Sequence, residues 1–255
     1  MPNSPMPMPA PPQLSLPEEF LLLSHHRHGD VHDPHQTAIG CAAAELGELA
    51  LRRRLRVAPQ RKGRLFGFEV YFTTGRTLGR IHLLDLAPTG LAWADGLLAE
   101  LERLAASSRN GPIRLRTWLR QRGGEALRLH RRVLVERNLL FHHPGFVPGE
   151  DGHHYPDVAV RAMLVSRLRA ATGERIPLDE RTLLLLDLVD EAELNEDLGL
   201  SLSTRQRLDR ARGVGAVTAL PEDVRDTSTV LSMSIPSRKR SGAGGGDGGD
   251  GGGGE

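Results

Sequence analysis

The stretch "TAIGCAAAELGELALRRRLRV", Thr37 to Val57, decides how this chain folds. Ile39, Ala43, Leu46 and Ala50 recur every three or four residues, so from Thr37 they share one face of a helix. The run "LRRRLRV" at its end reads as that helix giving way to a strand. Arg52, Arg53, Arg54 and Arg56 are read as a solvated helix end that also favours the negative helix terminus.

Working outward, "RLFGFEVYFTTGRTLGRIHLLDL" (64–86) alternates in places and carries β-branched and aromatic residues between Gly-containing turns, so Val57 to Leu86 is read as strands. Upstream, "LSLPEEFLLL" is a short capped helix, with Pro17, Glu18 and Glu19 in its first turn. Downstream, "APTG" (87–90) is a turn, and Leu97, Leu101 and Leu104 mark a second amphipathic helix. A helix resumes around Trp118, breaks at Gly123–Gly124 and continues through "EALRLHRRVLVERNLL". "FHHPGFVPGEDGHHYPD" (141–157) holds a small hairpin, and Asp157 caps a helix carrying Val160, Leu164 and Leu168 on one face. "LDERTLLLLDLVDEAEL" is apolar nearly all round, as for a helix at the middle of a bundle. "TRQRLDRARGV" and "PEDVRDTSTVLSMS" also read as helical. The expected fold is mainly α: a single helical domain over 14–236, with a small β element after the second helix and a short hairpin before the leucine-rich central helices. The Pro/Met-rich residues 1–13 and the Gly/Asp-rich residues 237–255 are expected to be disordered.

Composition bounds the function. Of 33 basic residues only Lys62 and Lys239 are lysines, and 32 acidic residues leave a net charge of +1, so any field attracting anions is local. One cysteine, Cys41, excludes an internal disulfide and a thiolate-rich zinc cluster, which suits a reducing cytoplasm. No signal peptide or spanning run is read, so a membrane would be met from outside. P-loop, G-x-S-x-G and Cys–His signatures are missing, and Asp187 and Asp190 are read as facing solvent or capping neighbours. Near-zero charge and the lack of basic residues interleaved with aromatics argue against nucleic acid.

These segments, in this order, resemble the Golgi phosphoprotein 3 family, including its bacterial members. The resemblance rests on "LSLPEEFLLL", "GCAAAELGELALRRRLRV", "APTG", "LRLHRRVLVERNLL", "HHYPDVAVRAMLVSRL" and "DERTLLLLDLVDEAEL" and covers about 14–213. It implies a single helical domain acting without catalysis or cofactor. Eukaryotic relatives bind phosphatidylinositol 4-phosphate on a membrane surface and hold the cytoplasmic tails of membrane enzymes. Their lipid pocket uses a loop Trp, an Arg in the next helix and Arg residues on the later arginine-rich helix. Carried over here, His32 or Asp33 falls near the Trp position and Ala42 at the helix Arg. Arg128, Arg131 and Arg132 lie on the later helix, where Arg128 shares a face with the other two and could grip a phosphate. A solvated helix face is the alternative for these three. Phe141, Phe146 and Val147 sit where, by this resemblance, the family's hairpin presents apolar residues to the bilayer or a neighbouring subunit.

The loop "SHHRHGDVHDPH" (24–35) holds five of the eleven histidines beside Asp30 and Asp33. His28 and His32 have an H-x-x-x-H spacing, but Gly29 and Pro34 argue against the helix that a zinc site of this kind needs, so no metal ligand is assigned. A solvated polar loop, the lining of an anion-binding surface and a metal site stay open in that order. The sequence is thus read as a cytoplasmic peripheral membrane protein of bacterial type. It would bind anionic head groups on the inner face of the membrane through Arg128, Arg131, Arg132 and His32. Membrane-protein tails and further copies of the chain are partners left open. A soluble adaptor is the alternative, and a histidine-dependent metalloenzyme the remote one.

Overall fold

The computed structural model describes residues 13–26, 28–65, 68–71, 79–107, 113–144, 152–173, 176–201, 206 and 215–236. Residues 1–12 and 237–255 and most of the helix expected over 204–214 lie outside them. Helix α1 (Leu16–Ser24) starts as its sequence dictates: the Glu18 carboxylate accepts from the Ser15 N–H at 2.6 Å and from its hydroxyl at 2.8 Å. Helix α2 (Pro34–Leu51) opens three residues before Thr37. The Asp33 side chain accepts from the N–H groups of His35 and Gln36, both at 2.9 Å. Pro34 therefore starts this helix, where a missing N–H costs nothing, rather than only breaking the loop. Arg53, at φ 58°, reverses the chain into β1 (Leu55–Pro59).

Strands β2 (Lys62–Leu65), β3 (Phe68–Tyr71) and β4 (Gly79–Leu83) follow, then α3 (Ala92–Ser107), β5 (Ile113–Arg114) and α4 (Leu115–Glu136). The second half holds β6 (Leu140–His143), β7 (His153–Pro156), α5 (Val158–Thr172), α6 (Glu180–Glu191) and α7 (Asn195–Leu198). A 3-10 turn (Gly215–Ala219) precedes α8 (Glu222–Ser232). Strands order β1-β4-β5 in an antiparallel sheet, with Val57 opposite Ile81, while β2–β3 and β6–β7 are two-stranded hairpins. The fold is thus the mainly helical single domain expected.

The hub of the bundle is α2 rather than the leucine-rich α6, which packs on it together with α1, α4 and α8. Small residues explain this position. At Gly40 a Cβ would lie 2.3 Å from the Phe20 ring, and at Gly123 it would lie 3.2 Å from the Ala38 backbone. Gly123–Gly124 consequently does not break α4, which runs unbroken from 115 to 136 with Gly123 at its close approach to α2. A buried ion pair locks the same crossing: Arg122 binds Glu45 through Nε at 2.8 Å and Nη2 at 3.0 Å, and His130 Nε2 lies 3.0 Å from Glu45. The four basic residues after α2 are partly absorbed as staples. Arg52 binds Glu48 and the Thr89 carbonyl, Arg53 binds Glu180, and Arg54 binds Asp85 and the Pro88 carbonyl. Asp187 accepts from the Ser228 hydroxyl at 2.6 Å, tying α6 to α8. At the other end, Gln36 Nε2 donates to the Pro236 carbonyl at 2.6 Å across 200 residues. No helix among the described residues is long and apolar enough to cross a membrane.

Candidate functional site

The histidine-rich loop is built like a miniature hairpin. His25 bridges Val31 in antiparallel fashion, the His26 N–H donates to the Asp30 carbonyl at 2.7 Å, and the His32 N–H donates to the Ser24 carbonyl at 2.9 Å. Alternation then puts Ser24, His26, Asp30 and His32 on one side and His25 on the other. His26 and His32 become diagonal neighbours, with ring centroids 5.1 Å apart. The loop lies edge to edge with the β6–β7 hairpin: the His154 N–H donates to the Gly29 carbonyl at 2.8 Å, and His153 Nδ1 is 2.8 Å from Asp30. Only glycine suits position 29, where φ is +94° and a Cβ would sit 2.9 Å from His153 and Tyr155. Two stretches more than a hundred residues apart thereby gather nine of the eleven histidines at one end of the molecule.

Beneath the loop, His25 is buried and its Nδ1 bonds the Leu21 carbonyl at 2.8 Å. Its pKa is lowered to about 4, chiefly by burial against the opposing pull of that bond, with the charges of Arg131, His154 and Arg161 pushing the same way as burial. Alongside lies a cavity of about 480 Å³ whose walls include Tyr155, Val158, Arg161, Val165, Arg169 and Asp197. Arg169 Nη2 donates to the Leu198 carbonyl at 2.7 Å. At the rim, Oδ2 of Asp197 is met by Nδ1 of His26 at 3.2 Å and Nδ1 of His32 at 3.1 Å.

The residues singled out from sequence divide accordingly. Arg128 and Arg132 are exposed on α4 and have no carboxylate partner among the described residues, whereas Arg131 is half-buried toward His25. Other arginines are tied into the fold: Arg137 to Glu18, Arg167 to Glu19, and Arg181 to Glu19 and Glu48. His32 sits at the rim, paired with His26 rather than with His28. Ala42 is wholly buried and Asp33 is a helix cap, so neither reaches an anion. Phe141 is 45% exposed on β6, opposite Tyr155; Phe146 and Val147 lie outside the described residues. Sequence reading missed Arg161 and Arg169, although Arg161, Val165 and Arg169 form an i, i+4, i+8 stripe on α5. Asp197 carried no local signal, since it comes from a four-residue helix 165 positions beyond His32.

Compared with family models, residues 16–230 match that of Golgi phosphoprotein 3 (GPP34). A search of curated proteins gives no match.

Proposed function

The chain belongs to the Golgi phosphoprotein 3 (GPP34) family, and from this premise we propose that it is a bacterial-type, non-catalytic peripheral membrane protein recruited by anionic head groups on the cytoplasmic face. The observation that carries this reading is the cavity walled by Arg161 and Arg169, with Arg128 and Arg132 exposed on α4. Planar guanidinium groups at such a surface can grip phosphate oxygens bidentately. Exposed Arg128 and Arg132 extend the positive surface outward along α4, and His32 stands at its rim. Phe141 offers one apolar contact next to it, a weak anchor alone that charge attraction must supplement.

Membrane phosphoinositide binding is the family's mode, but here the loop supplies His32 and Asp33 where a Trp is expected and α2 supplies buried Ala42. Recognition by charge, with little selectivity for the inositol ring, fits these substitutions. The test is co-sedimentation with phosphatidylcholine vesicles, with and without phosphatidylglycerol or phosphatidylinositol 4-phosphate. Each arginine near an anionic surface contributes about 1 kcal/mol, so Arg128→Ala with Arg132→Ala should weaken binding by about 30-fold. Absence of binding at low salt, or binding that survives replacement of Arg128, Arg131 and Arg132 together, refutes it. In that event the soluble adaptor reading takes its place, favoured by Val158, 82% exposed at the cavity wall.

A further inference from the structure

We propose that His26, His32 and Asp197 form a binding site for a divalent transition-metal ion, zinc first among them. This departs from the sequence reading, which found no metal ligands because it looked for His28 and His32 on a helix. The fold pairs His26 with His32 instead, and supplies the carboxylate from α7.

Three features carry the inference. The ligand atoms are already together: one ring nitrogen of each histidine and an Asp197 oxygen lie within 4.8 Å of one another. Their spacing suits a tetrahedral ion. With metal–ligand bonds near 2.0–2.1 Å, neighbouring ligands sit about 3.3 Å apart, and the two His–Asp separations are 3.1 and 3.2 Å. The remaining His26–His32 edge is closed by turning two part-exposed rings whose centroids are 5.1 Å apart. Both imidazoles also present the same nitrogen, Nδ1, to the same Asp197 oxygen.

The donor set selects the ion. Two imidazoles and one carboxylate suit zinc, nickel, cobalt or copper, whereas calcium and magnesium require oxygen cages. Three protein ligands leave a coordination position, as in zinc sites that exchange their fourth ligand. Asp197 also lines the cavity that holds Arg161 and Arg169, so that position has room for water or an anionic oxygen drawn by the two guanidiniums. The ion would also tie the loop to α7 through coordination bonds in place of the present His–Asp contacts.

The experiment uses the full chain without an affinity tag, stripped by chelator and titrated with Zn²⁺ against a competing chromophoric chelator. One equivalent should bind. His26→Ala, His32→Ala and Asp197→Asn should each weaken it at least about tenfold, while exposed His28→Ala leaves it unchanged. Imidazole nitrogen spectra of the unsubstituted protein should show His26 and His32 metallated at Nδ1, a readout that does not depend on how the variants fold. Lack of saturable binding, stoichiometric zinc that persists through all three substitutions, or ligation at Nε2 of other histidines would overturn the assignment. No vesicle enters the assay, so its outcome is independent of lipid binding.

Discussion

Replacing Glu45 should unlatch α4 from α2. Glu45 is fully buried, Arg122 is 6% exposed and His130 is fully buried. Burial alone would lower the Arg122 pKa, but the Glu45 hydrogen bond and charge, with Glu125 and Glu100 behind them, outweigh it and raise it. Removing one partner of such a pair strands a charge out of water, at about 3–5 kcal/mol. Arg122 would keep Glu125 at 2.9 Å and Glu100 at 3.7 Å, so Glu45→Gln belongs at the low end, about 3 kcal/mol. For a domain of this size that lowers Tm by about 6–12 °C. Arg122→Met alone leaves the Glu45 carboxylate with only His130 and should cost at least as much. Glu45→Gln with Arg122→Met removes both charges and should cost well under the sum of the singles. Urea unfolding of the four proteins measures the cycle. Additive losses, or a Glu45→Gln loss below about 1 kcal/mol, would show that the pair is not the latch.

Two glycines make opposed predictions. Gly40→Ala drives a methyl into the buried Phe20 ring and should cost about 1–2 kcal/mol after its helix-propensity gain, whereas Gly96→Ala, with nothing within 4 Å, should stabilise by about 0.5–1 kcal/mol; thermal melts compare them. Burial, reinforced by the Glu45 charge, pushes the Cys41 thiol well above its ordinary pKa. A disulfide reagent at neutral pH should therefore leave it untouched until denaturant is added. The Thr89 hydroxyl and N–H, each 2.6 Å from Asp95, hold that carboxyl below its ordinary pKa. Its contribution is present above the unfolded value near 3.9 and is lost as pH falls through the lower folded value. Asp95→Asn should thus destabilise at neutral pH and much less in strong acid, as paired denaturation curves will show.

How far the sequence could be read depended on how local each cause was. The start of α1, the turn from α2 into β1, the Asp157 cap and the β6–β7 hairpin all follow from neighbours within a few residues. Two local signals misled, one because a neighbouring cap went unrecognised and one because distant packing overrode it. Pro34 looked like a break but fills a first-turn slot prepared by Asp33, and Gly123 looked like a break but admits the Ala38 backbone. At the candidate site, Arg128, Arg131 and Arg132 were visible as a basic helix, but that Arg131 turns inward depends on α1 and α5. Asp197 was beyond reach, because nothing near Leu198 announces that the chain returns there to face His26 and His32.

The grip of Gln36 on the Pro236 carbonyl has a practical consequence. Gln36 lies one helical turn past His32, so whatever route the last nineteen residues take, they depart from beside the histidine loop. A fluorophore joined just after Pro236 would start its tether at the edge of the site, where quenching by a bound paramagnetic ion could be read. A bulky fusion at that end would crowd the histidine loop.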